Sequence, residues 1–413
     1  MAKRTTLLLL GVAFLPALSA AALPAVSATI APTPRPPATN GVIAFRGDRQ
    51  GQADLFTVAP PGGAEVRLVE TPEFHELDPA WSPEGSRIAY VGRGRPGSKP
   101  DLFVANEQAL GRVRLTQTPV AERDPAWSPD GTRIAYSART SPSGPTRLFV
   151  VGADGTRRRQ LTSQAAGTYD ASPAWSPDGT QIAFTSDRDG GLPEIYVMNA
   201  DGGGLRRLTS NSLVDADPTW SPDGTRIALT QCCTTSSEIY VMNADGSGAA
   251  NLTNTPSVEE SDPAWSPDGA AIAYVGFPSA GGGADIFTMT ADGSVQTKLT
   301  SQAGHDLAPS WRPVPVCTIS GTIDADRIDG TDDPDVICAG GGDDVVRAGG
   351  GFDLVYGGPG NDVLIGQGGD DLLFGESGDD TLRGGTGFDG LFGGPGVNGC
   401  EDGPRGAFRS LCT

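Results

Sequence analysis

The sequence predicts an all-β protein with two repetitive regions, a six-bladed β-propeller followed by a stack of short coils that each carry one strand. Two periods predict this fold class. Six tryptophans recur every 45 to 48 residues through the middle of the chain, and eight aspartates recur every nine residues near its end. A repeat unit this short cannot bury its apolar face alone, so neighbouring units must pack against each other.

The first 39 residues predict export. Two basic residues, Lys3 and Arg4, precede an apolar run over residues 7–18, and small residues follow. We interpret residues 1–28 as a secretory signal peptide, because the run falls short of the ~20 apolar residues that a transmembrane anchor needs. Residues 29–39 are rich in Pro and Thr and predict a semi-rigid linker. The expected location is therefore extracellular, either secreted or associated with the cell surface, with no membrane span.

The charge is strongly acidic and unevenly distributed. The formal net charge is −20, and residues 317–413 contain 16 Asp and 2 Glu against 5 Arg, which gives −13 for this part alone. A chain this acidic is a poor partner for nucleic acid, because phosphates repel it. The C-terminal region also repels itself until cations neutralise it.

Six cysteines, an even number, are typical of an oxidising compartment. Proximity in the sequence favours two disulfides and leaves one adjacent pair: Cys317 with Cys338, Cys400 with Cys412, and Cys232 beside Cys233. The adjacent pair would form a vicinal disulfide or remain as two thiols. A redox or metal role and an incidental loop feature are both open for it.

The long repeat covers residues 40–315 and contains every tryptophan of the chain: Trp81, Trp127, Trp175, Trp220, Trp265 and Trp311. Five of them are followed by Ser-Pro-Asp-Gly or Ser-Pro-Glu-Gly, a turn in which Pro presets φ and Gly takes the positive-φ exit. A second strand follows each turn, as at residues 88–90, then an alternating third strand, as at 194–198, and a fourth that ends in Leu-Thr. Four strands in about 46 residues are typical of a propeller blade.

The two ends of this region predict how the ring closes. Trp311 has no second strand after it, whereas residues 42–45 have a second-strand sequence with no tryptophan strand before them. We expect the two to pair and to complete a sixth blade, which removes an exposed strand edge. The repeat and its Ser-Pro-Asp-Gly turns resemble the TolB-like six-bladed propeller family.

An acidic residue lies five positions before each tryptophan: Glu76, Glu122, Asp170, Asp215, Glu260 and Asp306. Four blades carry another acid three positions before it: Asp78, Asp124, Asp217 and Asp262. Since the tryptophan strand resembles the innermost strand of such propellers, the first set predicts a carboxylate ring at one mouth of the central channel. That ring would attract cations or a basic peptide, an unidentified partner at the mouth. Alternatively, each acid serves the fold by accepting hydrogen bonds from backbone amides.

No sequence motif supports an enzyme. The chain lacks a Gly-x-Ser-x-Gly elbow, a Walker loop and an HExxH motif. Its only two histidines, His75 and His305, lie six residues before a tryptophan, so they occupy equivalent positions in two blades. A metal or general-base role is one interpretation of them, and a place in surface loops is the other.

The short repeat places an aspartate at every ninth position: Asp326, Asp335, Asp344, Asp353, Asp362, Asp371, Asp380 and Asp389. Glycine lies two positions before the last six of these, and an aliphatic residue lies two positions after all eight; the clearest copy is GGPGNDVLI at 357–365. Glycine-rich turns aim carbonyls inward and the aspartate adds a hard oxygen, so oxygen-only sites predict Ca²⁺. The alternative is a disordered acidic tail, which would not require the periodic aliphatic residue.

This pattern resembles the hemolysin-type (RTX) nonapeptide family, whose repeats bind calcium. The resemblance implies a parallel β-roll over residues 316–399 with two nonapeptides per turn, followed by a C-terminal cap at 400–413. It places calcium between units two apart, along Asp344, Asp362 and Asp380 on one edge and along Asp353, Asp371 and Asp389 on the other. Backbone carbonyls would complete the sites near Gly340, Gly342, Gly349, Gly351, Gly358, Gly360, Gly369 and Gly378.

The ends of the short repeat depart from the pattern. Asp324 and Asp333 replace the glycine of the first two units, so Asp326 and Asp335 are weaker candidate ligands, and Asn398 replaces the last aspartate. The sequence as a whole predicts a secreted calcium-binding protein, with the propeller as an interaction platform and the repeats as a calcium-dependent folding module. The alternative is an extracellular hydrolase or lyase that uses the acidic channel mouth.

Overall fold

The computed structural model describes residues 38–401, except 50, 70–73, 95–97, 107–111, 164–168, 233–235, 256, 279–280 and 388, together with residues 408–409. The predicted signal peptide and almost all of the linker lie outside these residues, as do Cys233 and Cys412. Among the described residues, no helix has the length and apolarity needed to cross a membrane. The described chain forms strands and turns throughout.

Six four-stranded antiparallel sheets form the propeller, and the chain enters it through blade six. Three strands come first: β1 (Ala38–Arg49), β2 (Gln52–Val58) and β3 (Val66–Val69). Blade one contains β4 (His75–Trp81), β5 (Arg87–Arg93), β6 (Asp101–Asn106) and β7 (Val113–Arg114). Blade two contains β8 (Glu122–Trp127), β9 (Arg133–Arg139), β10 (Thr146–Gly152) and β11 (Arg159–Gln160). Within each of these blades the strands pair in chain order.

The remaining blades repeat the same pattern. Blade three contains β12 (Asp170–Trp175), β13 (Gln181–Ser186), β14 (Glu194–Asn199) and β15 (Arg206–Arg207). Blade four contains β16 (Val214–Trp220), β17 (Arg226–Cys232), β18 (Glu238–Asn243) and β19 (Ala250–Asn251). Blade five contains β20 (Val258–Trp265), β21 (Ala271–Pro278), β22 (Asp285–Thr290) and β23 (Gln296–Lys298). The tryptophan strand β24 (Asp306–Pro315) then pairs with β1 in the order β24-β1-β2-β3.

The closure predicted from the two ends is confirmed. Ile43 pairs with Trp311 and Ala44 with Ser310, so the first and last strands of the propeller share one sheet. The six tryptophan strands contact one another in a closed ring, which makes them the innermost strands. Each tryptophan is buried between two blades; the indole N–H of Trp127, for example, donates to the carbonyl of Ala80 in the preceding blade at 3.0 Å.

The Ser-Pro-Asp-Gly turns fold as their composition predicts. In blade three, the Ser176 hydroxyl donates to Asp178 at 2.5 Å, and Asp178 accepts the amide of Thr180 at 3.0 Å. Gly179 has φ of +69°, a conformation that residues with a Cβ rarely adopt. These turns link the inner strand to the second strand in blades one to five.

The C-terminal repeats form a parallel β-roll of two sheets. One sheet contains β25 (Ile319–Ser320), β27 (Val336–Cys338), β29 (Leu354–Pro359), β31 (Leu372–Ser377), β33 (Gly390–Phe392) and β35 (Phe408–Arg409). The other contains β26 (Arg327–Asp329), β28 (Val345–Gly350), β30 (Val363–Gly368), β32 (Thr381–Thr386) and β34 (Gly399–Glu401). Neighbouring strands of a sheet pair residues 18 apart, as Val346 with Leu364, so two nonapeptides make one turn.

The interior of the roll is the aliphatic column that the nine-residue period predicts. All eight residues two positions after the aspartates are at most 8% exposed: Ile328, Ile337, Val346, Val355, Leu364, Leu373, Leu382 and Leu391. The predicted Cys317–Cys338 disulfide is present and fastens the start of the roll, with 5.8 Å between the Cα atoms. Cys232 and Cys400 are also disulfide-bonded, and their predicted partners lie outside the described residues.

Candidate metal centre

Each candidate aspartate of the roll ends a glycine turn and directly precedes a strand. Asp344 comes before β28, Asp362 before β30 and Asp371 before β31. The backbone at these positions is fixed, since the carbonyl of Asp344 accepts the amide of Val363 at 2.8 Å. The six side chains from Asp344 to Asp389 are 0 to 2% exposed, so they point into the roll rather than into solvent.

The aspartates 18 residues apart are in direct contact. The backbone amide of each donates to Oδ1 of the aspartate in the next turn, at 2.7 to 3.0 Å, in the pairs 326–344, 335–353, 344–362, 353–371, 362–380 and 371–389. The structure therefore brings together the pairs of aspartates that the resemblance to the nonapeptide family implies, in one column along each edge.

The second carboxylate oxygen has no such donor. Oδ2 is buried without a hydrogen-bond partner, among the described residues, in five consecutive members of the ladder: Asp344, Asp353, Asp362, Asp371 and Asp380. A buried carboxylate oxygen without a donor or a counter-charge is costly. These five oxygens are the strongest indication of a missing positive charge in the described chain.

Glycines keep the space around these oxygens open. A Cβ added to Gly357, Gly366 or Gly375 would overlap Oδ2 of the aspartate five residues later. A Cβ added to Gly360 would overlap the carbonyl oxygen of Gly342 in the turn below. The glycines are thus required where carboxylate and carbonyl oxygens of successive turns crowd together.

The electrostatics of the ladder agree with this geometry. Burial, and then the charges of Asp353 and Asp389, raise the pKa of Asp371 to about 8. Burial likewise raises the pKa of Asp353 and of Asp362 to about 6, and it raises the pKa of Asp344 and Asp380. The protein alone therefore disfavours the charged form of these carboxyl groups.

The first two turns differ for a physical reason. Oδ2 of Asp326 accepts the amide and the hydroxyl of Thr322, at 2.6 and 2.8 Å. Oδ2 of Asp335 accepts the same two groups of Thr331, at 2.8 and 2.9 Å. Threonine donors thus satisfy in the first two units the oxygens that the later units leave without a partner.

Asn398 ends the ladder with an uncharged side chain. Its Oδ1 accepts the amide of Asp380 at 2.9 Å, as an aspartate would, and its Nδ2 donates to the carbonyl of Gly394 at 2.9 Å. An amide can therefore satisfy both of its polar atoms at this position without a metal ion.

Side chains alone do not make a metal site here. Within the described part of the chain, no group of three or more His, Cys, Asp or Glu side chains is arranged to hold an ion. A site in the roll must therefore combine carboxylate and backbone carbonyl oxygens. Hard oxygen donors in flexible geometry are the ligands that Ca²⁺ prefers, so the residues present fit that ion.

The acids five residues before the tryptophans lie in the joints between blades. All six, from Glu76 to Asp306, are at most 1% exposed. Glu122 accepts the amide of Leu102 in the preceding blade at 3.1 Å, and the amide of Asp306 donates to the carbonyl of Ala284 in blade five at 2.8 Å. Arg49, in the same blade as Asp306, forms an ion pair with it at 2.6 Å. This placement favours a role in holding the fold together.

Asp170 shows most clearly how the protein places positive charge beside these acids. It accepts hydrogen bonds from Ser186 at 2.6 Å and from Arg188 at 2.8 Å, and Arg147 lies 3.8 Å away. Both arginine side chains are at least 95% buried. At Asp170 the protein itself supplies the positive charge beside the buried acid.

The second set of acids occupies the centre of the propeller instead. Asp78, Asp124, Asp217 and Asp262 adopt φ of +50° to +53°. Burial, and then the charges of the other three, raise the pKa of Asp262 to about 8. Their position three residues before a tryptophan identifies them in the sequence. The sequence around them does not indicate that these acids, rather than those five residues before the tryptophans, lie close to the equivalent acids of other blades.

Both histidines are used by the fold. Nδ1 of His75 accepts the amide of Ala53 at 3.1 Å, and Nδ1 of His305 accepts the amide of Ala284 at 3.2 Å. Each bond joins the histidine to the neighbouring blade. These hydrogen bonds give both histidines a structural role between blades.

Two family profiles match the chain. The TolB beta propeller domain family matches residues 50–315. The RTX calcium-binding nonapeptide repeat matches residues 320–355 and 356–396. No relative among the curated proteins matches the chain.

Solved structures share the propeller fold. TolB from Acinetobacter baumannii is 26% identical over 66% of this chain, with a TM-score of 0.56; the match covers 66% of that chain, just under two thirds of its length. A putative TolB from Agrobacterium tumefaciens is 22% identical over 67% of this chain and 99% of its own, with a TM-score of 0.51. A chain of a nidogen/laminin complex is 14% identical over 66% of this chain and 98% of its own, with a TM-score of 0.54.

Proposed function

Since the chain belongs to the TolB β-propeller domain family and carries RTX calcium-binding repeats, we propose that it is a secreted calcium-binding protein whose roll folds only with its ions bound. The propeller serves as the platform that binds a protein or another ligand. The observation that carries the calcium proposal is the ladder of five buried carboxylate oxygens without a donor.

The proposed ligands are the six regular aspartates of the ladder. Asp344, Asp362 and Asp380 serve one edge and Asp353, Asp371 and Asp389 the other, with backbone carbonyls near Gly340, Gly342, Gly349, Gly351, Gly358, Gly360, Gly369 and Gly378. Calcium supplies the positive charge that lets these carboxylates ionise inside the roll. Asp326 and Asp335 contribute less, because threonines already satisfy them.

The expected energy is large enough for a folding switch. With a dissociation constant of about 10⁻⁴ M, as in extracellular modules, 1 mM Ca²⁺ stabilises the folded state by about 1.4 kcal/mol per site. About five sites then contribute about 7 kcal/mol, which is comparable to the whole stability of a small domain. Without calcium, the buried carboxylates oppose folding.

Three features support export and a platform role. The predicted signal peptide precedes the propeller, RTX repeats are typical of secreted proteins, and the Cys317–Cys338 disulfide suits an oxidising compartment. The propeller also presents carboxylates of four blades at its centre. A cationic ligand or a basic segment of a partner protein is therefore the chemistry that the platform would select.

Hydrogen exchange of the full-length protein tests the calcium proposal. The amides of Val363, Leu372 and Thr381 each donate to an aspartate carbonyl one turn away, so they report on the stacking of the roll. We expect them to exchange rapidly in chelator and to become protected near 1 mM Ca²⁺. The amide of Leu208 in blade three, bonded to Ile195, should stay protected in both conditions. Equal protection of the roll amides with and without calcium would refute the proposal.

A further inference from the structure

The two outer faces of the roll differ in chemistry. The last residue of alternate nonapeptides forms an aromatic stack on one sheet, where the ring centroids of Tyr356 and Phe374 are 5.3 Å apart and those of Phe374 and Phe392 are 4.7 Å apart. The corresponding positions of the other sheet are Arg347, Ile365 and Arg383. A calcium ladder does not require this difference, so the aromatic face has a separate purpose.

The aromatic face packs against turns of the propeller. Phe352, Leu354 and Leu372 of the roll share the lining of one small cavity with Pro83 and Pro129, the prolines of the first two Ser-Pro turns. The hydroxyl of Tyr356 donates to the carbonyl of Glu84 at 2.9 Å. The contact therefore joins the turns of blades one and two to the apolar sheet of the roll.

Arg87 is the centre of this contact. Its guanidinium lies 4.5 Å from the ring of Trp127 and 4.5 Å from the ring of Phe392, between a propeller indole and a roll phenyl group. It also forms an ion pair with Glu84 at 2.6 Å and donates to the carbonyl of Gly131 at 2.9 Å. The Arg87 side chain is 7% exposed.

Equivalent positions in other blades provide an internal comparison. Arg133 stacks on Trp175 at 4.6 Å and Arg226 stacks on Trp265 at 4.7 Å, but the Arg133 side chain is 37% exposed. Blade one is also the blade whose turn carries Glu84, where the other four turns carry Asp. The longer side chain reaches Arg87, so the sequence of this turn differs where the roll contacts the ring.

We infer that the turn face of blades one and two is a docking site for the calcium-loaded roll, so that docking and calcium binding strengthen each other. The inference rests on the calcium-dependent folding proposed above. Strands β29, β31 and β33 align Tyr356, Phe374 and Phe392 only when the turns are stacked, which requires neutralised carboxylates. By thermodynamic reciprocity, a propeller that binds the stacked roll must raise the affinity of the roll for calcium.

Tryptophan fluorescence of the full-length protein tests the docking. All six tryptophans belong to the propeller, so the roll contributes no tryptophan signal. We expect Ca²⁺ to change the emission, and Trp127→Phe to remove most of that change, whereas Trp175→Phe leaves it intact. Asp371→Asn should move the change to a higher calcium concentration, which assigns it to the roll. An emission change that Trp127→Phe leaves intact would overturn the inference.

Calcium titrations of matched variants test the coupling. Arg87→Ala removes the central contact, and Arg226→Ala removes the equivalent stack in blade four, where Arg226 contacts the ring of Trp265 and, among the described residues, no ring of the roll. We expect Arg87→Ala to lower the equilibrium constant for docking about tenfold. Because about five calcium ions bind together with docking, this loss is distributed over five binding steps, and the calcium concentration at the midpoint should rise about 1.6-fold. Tyr356→Phe, which removes one hydrogen bond and leaves the packing intact, should give a smaller rise.

The outcomes separate the two proposals. If the wild-type roll shows no calcium-dependent protection, the proposed function fails and the docking inference fails with it. If the roll folds with calcium but Arg87→Ala, Tyr356→Phe and Arg226→Ala share the wild-type midpoint, only the docking inference fails.

Discussion

The propeller and the roll each bury one acidic residue per repeat, but they neutralise it in opposite ways. In the propeller, Asp170 receives Arg188 at 2.8 Å and Asp306 receives Arg49 at 2.6 Å. In the roll, the five aspartates from Asp344 to Asp380 each accept one backbone amide, and among the described residues none of their second oxygens has a hydrogen-bond donor. Periodic acids therefore say little about function until the source of the compensating charge is known.

The difference follows from the length of the repeat. A blade of about 46 residues has room for loops that return an arginine or a threonine to the acid of the same or the next blade. A nonapeptide consists of the turn, the aspartate and the strand, and the arginines at its last position, Arg347 and Arg383, pair with Asp329 and Glu401 rather than with the ladder. Units that lack the threonine of the first two units therefore depend on an ion between turns to neutralise the aspartate.

Removing an arginine that pairs with a buried acid of the propeller should leave that acid without a compensating charge, as in the roll. Arg188→Met leaves Asp170 buried without its nearest positive charge and should lower the free energy of unfolding of the propeller by about 4 kcal/mol, because an unpaired buried charge is expensive. Urea unfolding followed by tryptophan emission measures this loss. Calcium should not restore it, and Asp170→Asn added to Arg188→Met should restore part of it.

Arg46→Met is the matched control for this experiment. Arg46 pairs with Asp48 at 2.7 Å, but both side chains are more than a quarter exposed, so the loss should stay within about 1 kcal/mol. Equal losses for the buried and the exposed pair would remove the basis of the comparison between the two regions.

Removing the charge of one roll aspartate should reduce the stabilisation that calcium gives to the roll. Asp371→Asn keeps the Oδ1 that accepts the amide of Asp353 and removes one buried charge, as Asn398 already does at the end of the ladder. At 1 mM Ca²⁺ we expect a loss of about 3 kcal/mol, since Asp371 serves two sites, whereas in chelator the variant should be more stable than the wild type.

Circular dichroism over a calcium titration measures whether the variant is more stable than the wild type in chelator and less stable at 1 mM Ca²⁺. Asp326→Asn is the control and should have a small effect in both conditions, because Thr322 already satisfies Asp326. A variant Asp371→Asn that is destabilised equally with and without calcium would show that the carboxylate has a structural rather than an ion-binding role.

The smallest expected effect concerns a propeller acid that the fold satisfies incompletely. Glu260 accepts a hydrogen bond from Thr255, but its Oε2 is buried without a donor, and burial raises its pKa to about 8. Since the folded state holds the proton more tightly than the unfolded state, stability is lost as the pH rises from about 4.5 to about 8. Glu260→Gln should therefore match the wild type near pH 5 and exceed it by about 2 kcal/mol at pH 9.

Urea unfolding at the two pH values measures this difference. Asp292→Asn is the control, because its hydrogen bonds with Thr290 and Ser294 lower the pKa of the exposed Asp292 to about 2 and no gain at pH 9 is expected. A Glu260→Gln variant with the same stability as the wild type at pH 9 would show that Glu260 is compensated like the other propeller acids.

Much of the fold could be predicted because the sequence repeats at two fixed intervals, about 46 residues in the propeller and nine residues in the roll. The pairing of β1 with β24 followed from two incomplete repeats, and the aliphatic column of the roll followed from one residue type at every ninth position. The disulfide between Cys317 and Cys338 followed from proximity. These features depend on residues whose spacing itself fixes which side of a strand they occupy.

The candidate sites could be predicted only in part. The resemblance to the nonapeptide family implied pairs such as Asp362 and Asp380, and these two residues are in contact. It did not reveal that Thr322 and Thr331 satisfy the first two aspartates, although both threonines are visible in the sequence four positions before them. In the propeller, the acids at minus five are buried. The charges of the other acids at minus three act on Asp262, a difference between the two sets that their spacing in the sequence does not reveal.

The sequence by itself determined the number of units, their stacking, and which positions carry a carboxyl group, because a fixed period assigns every residue to one face of a repeating strand. The tertiary structure decided which carboxylates receive a positive charge from the protein and which face of the roll contacts the propeller. Arg188 pairs with Asp170, and Arg87 stacks on the ring of Phe392; in both cases the partner comes from another segment of the chain. Such encounters depend on distances across the fold, which no local spacing encodes.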